Sequence, residues 1–218
     1  MTDTQDTHTV VGPARDMRRL ILEEATRMFA ARGYDGVSLQ DLADAVGIRK
    51  PSLLYHYPSK DHLRRAVLDT VMVHWNEAVP RLLHAFHSVD GRVVAIVTEV
   101  EAFFGADPLR ARLLLREALD RPEELREMML GYVIPWMRVM TQFIERDKEL
   151  GVVRHEVDPQ AFVAHCMVLM ISVSGLRQVI GSLMPGEEPP RERLRDEMLR
   201  MIQVSLTTGL SAQGAPEA

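Results

Sequence analysis

The stretch from Val37 to Lys60 constrains the fold more than any other, because it has the pattern of two short helices joined by a tight turn. Ser38 with Asp41 three residues later forms a variant of the capping box, which predicts that a helix begins there. Gly47 can adopt the left-handed conformation that ends such a helix, and the small Ala43 lets a second helix cross closely. The segment therefore predicts a short helix that ends at a tight turn.

A second short helix is predicted directly after that turn. Pro51 suits its first position and Pro58 cannot continue it, so the helix should run from Lys50 to Tyr57. In a helix–turn–helix, a second helix of this kind enters the DNA major groove while neighbouring groups contact phosphates. A capped helix pair can also occur in any all-helical protein, so this pattern alone leaves DNA binding open. The polar side chains predicted on the outward face and at the ends of the helix are Arg49, Lys50, Ser52, Tyr55, His56 and Lys60.

The detailed residue pattern of this segment narrows the alternatives. Its characteristic residues are Ser38, Asp41, Leu42, Ala43, Gly47, Leu53, Tyr55, His56, Tyr57, Pro58, Ser59 and Lys60. With them the segment resembles the N-terminal DNA-binding domain of the TetR/AcrR family of bacterial transcriptional regulators. The resemblance covers roughly residues 14 to 65 and beyond them rests only on length and helical layout. Leu54 departs from the family pattern, which usually has a tyrosine there that touches DNA, and it lacks the hydroxyl donor.

The resemblance implies an all-α fold with about nine helices, in which a three-helix helix–turn–helix DNA-binding domain precedes a helical ligand-binding and dimerisation domain. It also implies a homodimer on a palindromic operator in double-stranded DNA, because one short recognition helix reads few base pairs. A small-molecule effector would release the operator, and the chain would act as a repressor. A helical small-molecule-binding or scaffold protein that no longer reads DNA is the alternative.

Each polar residue of the segment has a predicted role in this interpretation. The N-terminus of the helix that begins at Ser38 would hold a phosphate. His56 and Lys60 would contact the DNA backbone. Groove and base-edge contacts would come from Arg49, Lys50, Ser52 and Tyr55.

The distribution of charge agrees with a DNA-binding N-terminal region. Residues 13 to 65 hold ten Arg and Lys residues and seven Asp and Glu residues, although the whole chain has a formal net charge of −5. A local basic footprint on an otherwise acidic protein favours oriented docking on DNA. Solvated surface charge alone could also produce this modest asymmetry.

Four segments are expected along the chain. Residues 1–12 form a tail, 13–60 the DNA-binding domain, 61–210 the ligand-binding and dimerisation domain, and 211–218 a second tail. The first tail is rich in Thr and Asp and lacks the basic and apolar regions of a targeting signal. Both tails are therefore expected to be disordered.

Helical periodicity predicts helices along the rest of the chain. The first spans about Arg15 to Arg32 and ends at Gly33, and Tyr34 in the following turn is expected to fill the core. Ser59 would cap a fourth helix, which Pro80 should bend or end. In the resembled family this helix transmits ligand binding to DNA release. Later helices are predicted at 93–104, 109–119, 123–150, 158–183 and 191–208.

Three of the later helices suggest how the second domain works. Pro135 lies inside the helix 123–150 and should free the carbonyl of Gly131, four residues back, and kink the helix. The helix 158–183 is apolar nearly all round, so both of its sides must be covered. One side can face its own domain. The other, with the helix 191–208, would form a four-helix bundle with a second copy, as the resemblance implies.

A ligand cavity is expected in the second domain, because the kinked helix contributes Met, Trp and Phe side chains that suit adaptable apolar pockets. The freed Gly131 carbonyl is a further polar candidate. Met stripes at helical spacing are more often core, and a lone His165 on an apolar face is more often a satisfied core residue. The predicted lining residues are Phe104, Arg116, Glu117, Met129, Tyr132, Trp136, Met140, His165, Met170 and Ser174.

Cysteine usage and hydropathy indicate the compartment. Cys166 is the only cysteine, so no internal disulfide can form, and its thiol should be unreactive within an apolar run. The longest nearly apolar run, 161–173, is shorter than the roughly 20 residues that span a bilayer. The chain is therefore expected to be cytoplasmic and to have no membrane partner.

Catalytic and metal-binding patterns give little support for an enzyme. The sequence has no G-x-S-x-G elbow, Gly-rich phosphate loop, H-E-x-x-H or C-x-x-C pair. His84 and His87 could share a metal, but no third ligand is close in sequence, and two histidines on a solvated helix face are the simpler account. The sequence therefore predicts neither catalysis nor a bound metal or cofactor.

Overall fold

The computed structural model describes residues 13–84, 89–184 and 190–207. Within these ranges the regular structure is helical, apart from one bridged pair, Val153 with Thr207. The predicted all-α class is therefore confirmed. The helices are α1 (Pro13–Arg32), α2 (Leu39–Val46), α3 (Lys50–His56), α4 (Lys60–His84), α5 (Val89–Ala106), α6 (Leu109–Asp120), α7 (Pro122–Tyr132), α8 (Ile134–Glu149), α9 (Pro159–Gly175), α10 (Arg177–Leu183) and α11 (Pro190–Leu206).

The chain divides into two compact units between Thr70 and Val71, inside α4. The sequence-based boundary at residues 60–61 lies at the start of the same helix. This helix does not end at Pro80 but continues through it to His84. The predicted tails 1–12 and 211–218, like His87, lie outside the described residues.

The first unit is held together by apolar side chains from α1 to α4. Tyr34 is buried, and its hydroxyl donates a hydrogen bond to Asp61 Oδ1 at 2.8 Å, which confirms its place in the core. Full burial of each aliphatic or aromatic side chain stabilises a fold by about 1.5–3 kcal/mol. The side chains with almost no solvent exposure include Ile21, Ala25, Phe29, Leu42, Leu53, Tyr57 and Leu63.

The predicted single helix 123–150 is divided into α7 and α8 at Val133. The amide of Val133 still donates to the Met129 carbonyl at 2.8 Å, so the break interrupts the helix by one residue only. Pro135 lies in the first turn of α8, where its missing N–H removes no helical hydrogen bond. The expected kink is thus a division between two helices.

The predicted single helix 158–183 was wrong, because the chain bends by 76° between α9 and α10 at Leu176. Gly175, just before the bend, lies against α6 so closely that a Cβ there would be 2.5 Å from Leu115 Cδ1. The backbone of Ala111 would lie 3.5 Å from the same Cβ, so α6 and α9 pack closely at this glycine. The division of these two predicted helices accounts for the eleven helices of the described ranges, where about nine were expected.

The second unit is built around α9, which packs against α5, α6 and α8. Asp158 caps its start by accepting hydrogen bonds from the amides of Gln160 and Ala161 at 3.0 and 3.1 Å, as predicted. None of the described helices is by itself long and apolar enough to cross a membrane, and only α9 and α10 taken together meet that criterion by length and composition.

Candidate nucleic-acid interface and ligand cavity

The start and end of α2 have the geometry that the sequence predicts. Ser38 Oγ accepts a hydrogen bond from the Asp41 amide at 3.0 Å, and Asp41 Oδ2 accepts one from the Ser38 amide at 2.9 Å. Hydrogen bonding to Ser38 holds the pKa of the Asp41 carboxyl below its ordinary value. Gly47 ends the helix at φ 76° and ψ 29°, in the left-handed region. The capping box and the glycine turn are therefore confirmed.

The recognition-type helix α3 has one buried side and one exposed side. Leu53 and the following Tyr57 have no solvent exposure and fix the helix to the core of the first unit. Tyr55 is 84% exposed and His56 is half-buried. Their rings form a T-shaped pair with 5.4 Å between centroids. The predicted contacts that the structure leaves exposed at the start of α3 and along it are Arg49, Lys50, Ser52 and Tyr55.

Two residues in α3 or close after it, Leu54 and Lys60, are more buried than the exposed polar residues of this helix. Leu54 is half-buried, which fits an apolar packing role for the residue that departs from the family pattern. The Lys60 ammonium lies 4.0 Å from the centroid of the Tyr34 ring, a cation–π contact that holds the side chain at the start of α4. Lys60 remains close to α3 in sequence and shares its unit.

The second unit contains a cavity of about 400 Å³ lined by side chains from α4 to α9. Four of the predicted lining residues, Phe104, Met129, Trp136 and Met170, are in its wall. Two aromatic wall residues, Trp75 and Phe103, were absent from the predicted set. Trp75 follows Val71 by four residues on α4, and Phe103 follows Val100 by three on α5, and this helical spacing could have revealed them.

Aromatic rings form one side of this cavity and pack edge to face. Trp75 lies 5.4 Å from Phe103 and 5.7 Å from Trp136, measured between ring centroids, and Phe103 lies 4.9 Å from Phe104. Interplanar angles of 75°, 78° and 73° place each pair in the favourable T-shaped arrangement. The cluster therefore gives the wall a defined shape.

The other predicted ligand residues lie elsewhere. Met140 lines a second cavity, of about 70 Å³, that shares Trp136 and Met170 with the first. Ser174 lines a still smaller one beside Glu101. The predicted residues outside all three cavities are Arg116, Glu117, Tyr132 and His165.

Two of these four residues, Glu117 and His165, differ sharply in burial. Glu117 is buried at 3% exposure, whereas His165 is exposed on α9 and is neither a pocket residue nor a core histidine. On α6 the wall is formed instead by Leu114, Leu115 and Ala118. Gly131, whose freed carbonyl was expected to point inward, is also exposed.

The second cavity carries a charged pair at its wall. Arg92 and Asp147 form an ion pair, and their side chains are only 14% and 12% exposed. The guanidinium also lies 5.4 Å from the centroid of the Phe143 ring. Burial, and to a smaller extent the charge of Arg146, lowers the pKa of Arg92 below its ordinary value. Neither residue of this pair was singled out from the sequence.

We expect the thiol of Cys166 to be unreactive at neutral and mildly alkaline pH. It lines the second cavity, and burial raises its pKa from 9.0 to about 11, so the neutral form persists. At pH 8 the thiolate fraction, and with it the rate of alkylation by iodoacetamide, should be about 100-fold lower than in the denatured chain. Similar rates for folded and denatured protein would show that the site is open to solvent.

The arrangement of α1 to α3 defines the chain as a helix–turn–helix protein with a separate helical unit. A family model described as "Bacterial regulatory proteins, tetR family" matches residues 21–67. The negative transcriptional regulator IcaR of Staphylococcus epidermidis is 32% identical over 75 residues, which are 34% of this chain and 40% of IcaR.

Two further relatives match over a longer part of the chain. The regulator EthR of Mycolicibacterium smegmatis is 27% identical over 160 residues, 69% of this chain and 72% of EthR. The repressor KstR2 of Mycobacterium tuberculosis is 28% identical over 148 residues, 62% of this chain and 70% of KstR2. The chain belongs to the TetR family of bacterial transcriptional regulators, which are not enzymes.

Solved structures extend the similarity of fold to both units. The ketosteroid regulator KstR2 of M. tuberculosis has a TM-score of 0.69 at 16% identity, with 88% of this chain and 95% of that chain covered. AibR, solved with isovaleryl coenzyme A and operator DNA, has a TM-score of 0.69 at 20% identity, with 85% and 97% covered. The family membership favours a regulator over the alternative of a scaffold without DNA binding.

Proposed function

We propose that this regulator is a repressor that binds a palindromic operator through α3 and releases it when a small molecule occupies the cavity of the second unit. The proposal is supported mainly by the exposure of four polar residues at α3, while the fully buried Leu53 fixes this helix to the core of the first unit. The four residues are Arg49, Lys50, Ser52 and Tyr55. Repression is supported by the names of relatives: KstR2 is called a repressor and IcaR a negative regulator.

In this proposal the first unit supplies both base and phosphate contacts. Lys50 and Tyr55 are exposed on α3 and would reach base edges in the major groove. The Ser38 amide donates to Asp41 and its Oγ accepts from the Asp41 amide. A phosphate would therefore meet the hydroxyl hydrogen of Ser38 and the remaining amides of the first turn of α2. His56 and Lys60 would contact the backbone on either side.

The second unit would provide dimerisation and ligand binding. A homodimer is proposed through α9, α10 and α11, the helices that replace the predicted 158–183 and 191–208. Large apolar side chains on them are solvent-exposed in the single chain, as expected for a surface that a second copy covers. These are Val168, Leu176, Val179, Leu183, Met201 and Val204.

A gel shift with DNA flanking the chain's own coding region tests the proposal, and selection of bound genomic fragments would identify the operator. Specific binding by a dimer, resistant to random competitor DNA at moderate salt, is the expected result. A monomer, or binding equal to that of random competitor, would overturn it.

We expect Lys60→Ala to weaken binding to all DNA about equally and to lower the slope of log affinity against log salt by about 1 per subunit. The physical reason is that a lysine at a phosphate releases counterions without reading sequence. Lys50→Ala should instead change which operator sequence is preferred. Lys148→Ala, which removes the same charge from α8 in the second unit, is the control and should leave the slope unchanged. An unchanged slope in Lys60→Ala would refute the phosphate role.

A further inference from the structure

The wall of the 400 Å³ cavity offers very little polar chemistry to a ligand. Among the described lining residues, none is charged. Their polar side-chain groups are the Ser172 hydroxyl and the indole N–H groups of Trp75 and Trp136. Aliphatic, methionine and phenylalanine side chains form the rest of the wall.

Backbone groups add little to this inventory. Apart from Val133, the described lining residues lie within α4 to α9, where helical hydrogen bonds occupy the amides and carbonyls away from the helix ends. In the last turn of α5, the Phe103 carbonyl accepts a hydrogen bond from Arg110 Nη1 at 2.8 Å. At Val133 the amide donates to the Met129 carbonyl at 2.8 Å, and the carbonyl accepts from the Met137 amide at 2.9 Å. The wall therefore presents few hydrogen-bonding groups of any kind.

An ionic ligand would be poorly matched to this wall. An anion or a cation inside it would lose hydration without gaining an ion pair, which is strongly unfavourable. The aromatic cluster already has a cation beside it, because the Arg110 guanidinium lies 4.6 Å from the centroid of the Phe103 ring. A cationic ligand against this part of the wall would therefore meet a like charge.

We propose that the effector is an uncharged, predominantly apolar organic molecule with at most a few oxygen or nitrogen atoms. The cavity of about 400 Å³ lies in the lower part of the range of roughly 300–1,000 Å³ that is usual for such ligands. Flexible Met129, Met137 and Met167 in the wall can adapt to its shape. This inference rests on the proposed function, since it assigns the ligand class of the same cavity.

A matched pair of fluorescent probes tests the ligand class. N-phenyl-1-naphthylamine is uncharged, and 8-anilino-1-naphthalenesulfonate has the same ring system with one added sulfonate. The two tryptophans of the chain, Trp75 and Trp136, both line the cavity, so energy transfer from tryptophan to the probe reports binding there. The uncharged probe should bind with transfer, and the sulfonate should bind at least about 100-fold more weakly. Equal affinities would overturn the proposal.

A competition series extends the test to cations. The competitors 1-dodecanol, dodecanoate and dodecyltrimethylammonium share one alkyl chain and differ in head-group charge. We expect 1-dodecanol to displace the uncharged probe best. Stronger displacement by dodecanoate or by dodecyltrimethylammonium would show that a charged head group is accommodated, and would overturn the proposal.

Two alanines on α9 provide a matched pair of variants. Ala164→Phe fills the cavity and should lower the affinity of the uncharged probe at least about tenfold. Ala161→Phe makes the same change at an exposed position outside the wall and should not affect the probe. If Ala164→Phe fails to fold, Ala118→Phe blocks the cavity from the side of α6. Unchanged probe affinity in a folded cavity-filling variant would place the ligand elsewhere.

The proposed function is tested separately, by operator release in a gel shift. Probe binding in the cavity without release would support the ligand class and contradict the regulatory link. Release by the sulfonate as effectively as by the uncharged probe would support the regulatory link and contradict the ligand class.

Discussion

Replacement of Tyr57 by alanine is expected to destabilise the first unit by about 3–5 kcal/mol, the usual cost of deleting a buried aromatic ring. Tyr57 is the largest side chain in the chain's described core with no solvent exposure, and it follows α3 directly. The Arg18 guanidinium lies 4.7 Å from its ring centroid. Because small domains have only about 5–15 kcal/mol of stability, most of the anchoring of α3 should be lost.

Two measurements on the full-length protein check this expectation. Amide hydrogen exchange should become faster in α1, α2 and α3, and operator binding in a gel shift should fall in parallel. Helices of the second unit should keep their protection, since the two units are separately compact. Unchanged protection of α3 in Tyr57→Ala would mean that Leu53 alone suffices to hold the recognition helix.

Tyr57→Phe is the matched control, because it keeps the ring and removes only the hydroxyl. That hydroxyl donates to the Arg18 carbonyl at 3.3 Å, a long hydrogen bond. Its loss should cost about 1 kcal/mol or less, and DNA binding should be retained. A loss as large as that in Tyr57→Ala would assign the anchoring to the hydrogen bond instead of to the ring.

The helix–turn–helix could be predicted from sequence because its determinants are local. Ser38 and Asp41 form hydrogen bonds to each other, and Gly47 adopts the left-handed conformation that the turn after α2 requires. Ser59 likewise accepts a hydrogen bond from the His62 amide at the start of α4. Interactions within one or two helical turns are fully specified by the residues that make them.

The divisions of the later helices depend on contacts between distant segments, which periodicity does not contain. The residues from 173 to 183 are compatible with a continuous helix, and the bend at Leu176 comes directly after the residue, Gly175, at which α9 lies against Leu115 of α6. At the other division, Pro135 indicated the region, but the break lies at Val133 because proline is well placed in a first helical turn.

The cavity shows a different limit of sequence analysis. A wall and a core are both apolar, so helical periodicity identified Phe104, Met129, Trp136 and Met170 without distinguishing these two environments. The search for polar ligand contacts led to His165 and Arg116, which do not line the wall. The structure instead shows a cavity whose described wall has almost no polar side chains, and the proposal of an uncharged ligand rests on this property.

Replacement of Asp147 by alanine is expected to destabilise the second unit by about 3–5 kcal/mol. The carboxylate pairs with Arg92 where both side chains are largely shielded from water. Its removal leaves the Arg92 guanidinium buried without its counter-charge and close to the like charge of Arg146. Chemical denaturation of the full-length protein, followed by the fluorescence of Trp75 and Trp136 in the second unit, measures the loss.

The double variant Arg92→Met with Asp147→Leu separates charge from packing. Replacing a buried ion pair by apolar side chains of similar size is often neutral or stabilising. The free energy of unfolding of this variant should therefore lie within about 1 kcal/mol of the parent's value. If it is instead as unstable as Asp147→Ala, the shape of the pair beside Phe143 matters more than its charge. The expected result would mean that the pair contributes little net stability, and that the loss in Asp147→Ala comes from the unpaired Arg92.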